Sequence, residues 1–257
     1  MKKYLAFMTT TIKEEMNSIT NMFSTYFAFI IHILMFSCLW DFVLEGKTMA
    51  GFTKTDLIWY AIMAEIITYS FNYYYKKVAY KIESGDFAYG MSKPYNFLAR
   101  IIAEGIAELP MTIMFIAIGS VLGLILVGPL KVSAVGLTCT LCIILIAVMI
   151  LLCLNILVGM ISIWIGRDVS SIWLLIGKMM LIFAFTPLEL FPKVIQIPLL
   201  CLPTTHVIYT PAKLFVHFSP WLFVKSLGFE LISLGIIVSI LTIVYMKGVK
   251  KQNVEGV

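Results

Sequence analysis

The sequence predicts an all-α integral membrane protein with six transmembrane helices, and three observations carry that prediction. Hydrophobic residues make up 61% of the 257 residues and charged residues 13%, with a mean hydropathy of +0.98, well outside the range of water-soluble domains. The apolar residues gather into six stretches, 22–44, 57–75, 98–128, 132–165, 169–188 and 220–246, each near or above the ~20 residues that cross a bilayer. The basic residues are shared unevenly between the connections. With the N-terminus inside, 12 of the 19 (Lys2, Lys3, Lys13, Lys76, Lys77, Lys81, Lys93, Arg100, Arg167, Lys247, Lys250 and Lys251) lie on the inner side. Lys47, Lys54, Lys131, Lys193 and Lys213 lie outside, and Lys178 and Lys225 fall within spans, so the positive-inside rule puts both termini in the cytoplasm. Trp40, Trp59 and Trp221 near outer span ends, with Trp164 and Trp173 near inner ones, complete an aromatic belt.

Six spans with short loops use the whole length, so residues 1–257 read as one transmembrane domain with no room for a soluble catalytic unit. The first 20 residues lack the apolar core and cleavage site of a signal peptide and are expected to be retained. Tyr4, Leu5, Met8, Ile12, Met16 and Ile19 recur there at spacings of three and four, predicting an interfacial helix over residues 1–20 that anchors the first span. His32, alone in that span, reads as a hydrogen-bonded packing residue. The net charge of +5 needs no nucleic-acid partner, because inner lysines facing anionic lipid account for its sign. The five cysteines, Cys38, Cys139, Cys142, Cys153 and Cys201, all sit in apolar surroundings and predict neither disulfides nor a metal centre.

Residues 76–97 form a long polar segment between two spans, where a soluble partner could take hold. Lys76 to Phe87 continues the second span as a short helix, Gly85 supplies the backbone freedom to turn it, and Pro94 holds Lys93 extended before the third span. The charges Lys77, Lys81, Glu83, Asp86 and Lys93 serve either solvation or docking. Arg100, Glu104 and Glu108 then share one helix face as a polar extension of the third span, and Pro110 is placed to kink it.

Six of the nine prolines, Pro187, Pro192, Pro198, Pro203, Pro211 and Pro220, crowd into 34 residues. No straight span survives that spacing, yet residues 188–219 are apolar. They read as an extracellular cap, made either of short re-entrant helices or of a surface-lying loop. Three charges, Glu65, Lys178 and Glu230, are predicted at mid-depth, where Lys178 is placed to pair with either acid as a structural ion pair or to line a substrate path.

The Glu83-Ser84-Gly85-Asp86 turn followed by Lys93-Pro94 resembles the coupling segment of the six-span permeases of bacterial ABC type-2 exporters. Pro187-Leu188-Glu189-Leu190-Phe191-Pro192, with Pro203 and Tyr209-Thr210-Pro211, resembles that family's outer segment after the fifth span. Glu83 departs from the basic or neutral residues common at its position. The resemblance spans essentially the whole chain. It implies a permease subunit in the bacterial cell membrane that pairs with a second copy or a paralogue and binds separate ATPase subunits. Lys77, Lys81, Glu83, Ser84, Gly85, Asp86, Lys93 and Pro94 would then couple to the ATPase, and the outer segment would form short extracellular helices.

The implied function is export of a hydrophobic or amphipathic compound (a drug, peptide or lipid), with ATP and Mg bound by the partner rather than by this chain. Gly46-Lys47-Thr48 lacks the upstream glycine of a phosphate loop, and Gly177-Lys178 is followed by Met179, so neither predicts a nucleotide site. The alternatives are a standalone ion-coupled carrier, which calls for inverted repeats not evident here, and an intramembrane enzyme. No His-Glu-x-x-His pattern is present, and the Glu14-Glu15 pair precedes the first span without a basic partner at the required spacing.

Overall fold

In a computed structural model, residues 2–71, 73–165, 169–200 and 202–255 are described. Arg167 and Cys201 lie outside them, as does the side chain of Pro203. The helices are α1 (Lys2–Asn17), α2 (Ile19–Leu44), α3 (Lys54–Tyr69), α4 (Tyr74–Glu83), α5 (Asp86–Met91) and α6 (Phe97–Ile106), followed by α7 (Leu109–Val127), α8 (Ala134–Ile165), α9 (Ser170–Phe185), α10 (Lys193–Leu200), α11 (Pro203–Val216) and α12 (Pro220–Glu255). A single 3₁₀ turn, Leu188–Leu190, precedes α10, and no strand occurs among the described residues.

Among the described residues, four segments are long and apolar enough to cross a membrane: Met22–Leu44, Phe97–Val127, Ala134–Ile165 and Pro220–Gln252. The stretches expected at 57–75 and 169–188 form shorter helices. α3 and α9 have 16 residues each, about 24 Å at 1.5 Å per residue. The second apolar stretch is not one helix. It breaks after Tyr69, and α4 starts anew at Tyr74. The orphan N–H of Tyr75 at this new start is satisfied by the Asn155 Oδ1 of α8 at 3.1 Å, which makes the break a tied joint.

The third stretch also breaks. Pro110 has no N–H to donate to the preceding turn, and the α6–α7 junction falls at Ala107–Glu108, just before it.

The least polar helix is not the most central one. α3 is buried at every residue from Leu57 to Ile67, and α2, α7, α8, α9 and α11 pack around it. Its start is fixed by a reciprocal cap in which Thr53 accepts from the Asp56 N–H and the Asp56 carboxylate accepts from the Thr53 N–H. Trp59 packs its ring against Gly123 of α7 and donates to the Gly128 carbonyl at 3.1 Å. A Cβ at Gly123 would stand 2.6 Å from that ring, so Gly123→Ala is expected to cost about 1–3 kcal/mol. Thermal unfolding in detergent checks this, with Gly235→Ala, where a Cβ meets nothing within 4 Å, as the reference.

The proline-rich segment divides in two. α10 has no buried residue, whereas α11 is wedged among α3, α8, α9 and α12 with Val207, Ile208, Ala212 and Leu214 fully buried. A loop lying only on the surface does not describe α11. In α1 the predicted apolar stripe is split, because Leu5 and Met16 are exposed. The helix instead turns Tyr4, Phe7, Thr11 and Glu15 toward α6 and α4, and polar contacts set its rotation.

Candidate functional site

At one end of the bundle, α4, a turn and α5 form the helix–turn–helix expected from the sequence. Gly85 stands at φ +81°, and a Cβ there would meet nothing within 4 Å. Glycine is required by the backbone angle, not by lack of space. Around it Glu83, Ser84 and Pro94 are exposed, together with Tyr80 (71%) and Tyr89 (61%), and the Lys93 ammonium lies 4.1 Å from the centre of the Tyr89 ring.

Lys77, Lys81 and Asp86, also expected to couple to a partner, are engaged in ion pairs with neighbouring helices, Lys77 while remaining exposed. Lys77 pairs with Glu15 of α1 and, at 2.6 Å, with Glu108. Lys81 reaches Glu104 at 3.0 Å. Arg100 holds Glu104 at 2.8 Å and Asp86 at 3.2 Å, and its guanidinium stacks 4.7 Å from the Phe7 ring. Lys77 and Lys81 are one helical turn apart and therefore share the face of α4 turned toward α6 and the α6–α7 junction. Glu104 and Glu108 are buried there and need cations beside them. Burial works against the Lys77 ammonium, but Glu108 and Glu15 outweigh it and raise its pKa above the ordinary lysine value.

The face shared by Arg100, Glu104 and Glu108 is thus the inner wall of a charge network, not a solvated extension. Glu15, Tyr4, Phe7 and Tyr95 belong to the same assembly; by sequence Tyr4 falls in an apolar stripe and Glu15 in an acidic pair before the first span, and none of the four is assigned to a charge network. Tyr4 Oη accepts from the Asn96 N–H at 3.2 Å, and Phe7 meets Tyr95 edge-on at 5.4 Å. The spacing of Tyr4, Phe7, Thr11 and Glu15 in α1 was the available signal.

Behind this network α4 is clamped to α8. Gly159 brings the backbones so close that a Cβ there would stand 2.6 Å from Val78 and 2.9 Å from the Tyr75 carbonyl. Tyr75 stacks on Trp173 of α9 at 5.2 Å, and Tyr74 donates to the Ile101 carbonyl at 2.6 Å. The helix that carries the turn is therefore joined to α6, α8 and α9 through short, packed contacts. A cavity of about 510 Å³ opens beside the network, between α2, α3 and α7, with Tyr26, Tyr69, Tyr73 and Phe115 among its walls and Glu108 and Lys77 at its polar side.

At the far end of α3, Tyr209 donates to Glu189 at 2.7 Å, and Lys213 pairs with the same carboxylate oxygen. The 3₁₀ turn carrying Glu189 begins after Pro187, Pro192 precedes α10, and Pro211 lies inside α11. Of the residues expected in the outer cap, Glu189 and Tyr209 are brought together and tie the 3₁₀ turn to α11.

The mid-bundle charges are placed differently from the expectation. Glu65 and Glu230 are fully buried, and neither carboxylate has a hydrogen-bond partner among the described residues. Glu65 Oε2 lies 3.6 Å from His32 Nδ1, which is also hydrogen-bonded to Tyr69 Oη at 3.0 Å. Lys178 is exposed on the surface of the chain and joins neither acid. It stands on the exposed stripe of α9 with Leu174, Leu175 and Ile182, while Met180, Phe183 and Ala184 take the inward positions. Among the described residues no group of three or more His, Cys, Asp or Glu side chains is placed to hold a metal ion.

The family model for ABC-2 family transporter proteins matches residues 22–256. The chain belongs to this family. As an ABC-2 permease it is a multi-pass membrane protein and the membrane component of a transport system, not the component that does catalysis. No curated protein matches the permease sequence.

Proposed function

We propose that this permease is one subunit of an exporter driven by a separate ATPase, and that the turn between α4 and α5 is where that ATPase docks. The observation that carries the reading is the contrast around Gly85. The tip of the turn is exposed and ends in aromatic and polar side chains, whereas its supporting helix is locked to α8 by Asn155 and Gly159 and to α1, α6 and α7 by ion pairs. Such a lever delivers force without absorbing it.

In this reading α2, α3, the α6–α7 pair, α8, α9 and α12 make six crossings of the bacterial cell membrane, and the 257 residues form one transmembrane domain. The lysine distribution puts both termini and the α4–α5 turn in the cytoplasm. α10 and α11 then form the extracellular cap, with α11 re-entrant because its backbone is covered by protein on several sides. ATP and Mg belong to the partner. The cavity lined by Tyr26, Tyr69 and Phe115 suits a hydrophobic or amphipathic cargo such as a drug, peptide or lipid, released as the ATPases close and pull on the turn.

Detergent pull-down of the tagged full-length chain from its native membrane tests docking. Glu83→Arg with Ser84→Trp alters only exposed positions and leaves the Asp86–Arg100 pair intact. Recovery of an ATPase with the wild type and its loss with this variant is the expected result. Absence of any ATPase under conditions that keep membrane complexes together would overturn the reading in favour of a standalone ion-coupled carrier.

A further inference from the structure

The walls of the cavity beside the charge network change character in the same order on two helices. Ser18, Met22 and Tyr26 follow one another at four-residue spacing from the start of α2, and Glu108, Met111 and Phe115 at spacings of three and four from the start of α7. Each row runs from polar through thioether to aromatic. Tyr26 donates to Met111 Sδ at 3.1 Å and meets the Phe115 ring at 4.7 Å, while Tyr69 packs on Phe115 at 5.6 Å, so the two rows converge on an aromatic end. The polar end is unevenly charged. Among the described residues four carboxylates of the network, Glu15, Asp86, Glu104 and Glu108, share three cations, Lys77, Lys81 and Arg100. The shortfall faces the cavity, because Lys77 serves both Glu15 and Glu108, whereas Glu104 has Lys81 and Arg100 to itself and Asp86. Lys76 lines the same cavity, is exposed, and makes no ion pair among the described residues; its ammonium lies 4.8 Å from the centre of the Tyr73 ring.

We infer that this cavity takes the headgroup of an inner-leaflet glycerophospholipid that carries both a phosphate and a primary ammonium, the ammonium donating to Glu108 and Glu15 and the phosphate accepting from Lys76. The inference names the class of amphiphile for the cavity assigned to cargo above, and it rests on that reading. The two charges of such a head answer the two imbalances of the wall. An anionic head would leave the surplus carboxylate unmatched, which is costly beside the buried Glu108, and a simple cation would leave Lys76 unmatched. A quaternary ammonium has no N–H to give to a carboxylate, so a primary one is favoured. Depth agrees with this occupant. In the proposed orientation the first turns of α2 and α7 and the end of α3 lie at the cytoplasmic border of the membrane, where tyrosines such as Tyr26, Tyr69 and Tyr73 sit at headgroup level. Acyl chains also have a path. Phe23, next to Met22, and Met114, next to Phe115, are 74% and 48% exposed and carry apolar surface from the cavity toward the bilayer centre.

Binding is measured on the purified full-length chain without an ATPase, so that it succeeds or fails apart from docking. Native mass spectrometry in detergent follows titration with dioleoyl phosphatidylethanolamine, phosphatidylglycerol or phosphatidylcholine. The ethanolamine lipid is expected to bind about tenfold more tightly than either of the others. Lys76→Ala, at an exposed position without an ion pair, is expected to lower that affinity about tenfold, and Lys250→Ala, exposed at the far end of α12, to leave it unchanged. Glu108→Gln is expected to abolish the preference for ethanolamine over choline; should that variant fail to fold, Lys76→Ala decides. Equal binding of the three lipids, or an equal loss with Lys250→Ala, would overturn the inference. So would soluble glycerophosphoethanolamine binding as tightly as the lipid, which would mark a site for free zwitterions, or a single-chain alkylammonium doing so regardless of Lys76→Ala, which would mark a plain cation site. If one of these is seen while the ATPase is still recovered from the native membrane, docking stands and only the class of cargo falls. If the lipid binds as expected but no ATPase is recovered, the headgroup site stands and its role in ATP-driven export falls.

Discussion

Replacing Arg100 with methionine will release α5 and α1 from the bundle and cost about 3–5 kcal/mol of stability. The size follows from what is left behind. The Arg100 side chain is 14% exposed and Glu104 8%, so their pairing takes place largely away from water. Without the guanidinium, Glu104 keeps the Lys81 ion pair alone among the described residues, and Asp86 loses its ion pair at the start of α5. Phe7 and Tyr95 also lose the flat cation they stack on, which loosens α1. Lysine does not substitute, because a point charge cannot serve Glu104 and Asp86 with a planar fork. Thermal unfolding in detergent should show the loss, and hydrogen exchange should locate it in α1, α5 and α6. Unchanged exchange in α5 would mean that the Gly85 turn holds itself in place. Since the Asp86–Arg100 pair sets the angle of the turn, ATPase recovery should also fall, although no docking side chain is touched.

Gly159→Val is expected to separate α4 from α8 and to lower stability by about 3 kcal/mol. A Cβ alone would stand 2.6 Å from Val78 Cβ and 2.9 Å from the Tyr75 carbonyl, and the second obstacle is backbone that cannot rotate aside. Two further methyl groups on a β-branched side chain enlarge the clash. Relief requires α4 to retreat, which also lengthens the Tyr75 N–H to Asn155 bond. The expected signature is a fall in protection of the Tyr75 amide, with the ATPase still recovered because the exposed tip is intact. Docking without transmission is the phenotype that sets the clamp apart from the docking surface. Gly105→Ala is a useful comparison, because the nearest atoms its Cβ would meet all belong to the flexible Leu152 side chain and not to backbone, and it should cost less.

The membrane class, the polar segment at 76–97 and the turn at Gly85 were legible in the sequence because each depends on local chemistry. Apolar length, lysine placement and a glycine in the left-handed region need no neighbour to be recognised. The long apolar stretches 22–44, 98–128, 132–165 and 220–246 all coincide with the long apolar segments, although 98–128 is two helices and α12 runs on past 246. The 57–75 and 169–188 stretches were read too long, and the first of them ran through the break between Tyr69 and Tyr74. Hydropathy averages over such a break when its residues are aromatic, as Phe71 and Tyr73 are.

By itself, then, the sequence determined where apolar segments lie, where the chain must turn, and which residues carry charge. The tertiary structure decided which charges face one another. Helical periodicity places Lys77 and Lys81 on one face, but only the packing of α4 against α6 and α8 turns that face inward and makes Glu15, Glu104 and Glu108 their partners. The same holds for Lys178, which depth alone would pair with Glu65 or Glu230 and which the rotation of α9 turns to the outer surface. Transfer free energy is a property of a segment and can be summed along a chain. Pairing depends on the distance and direction between segments, which are fixed only when the helices pack.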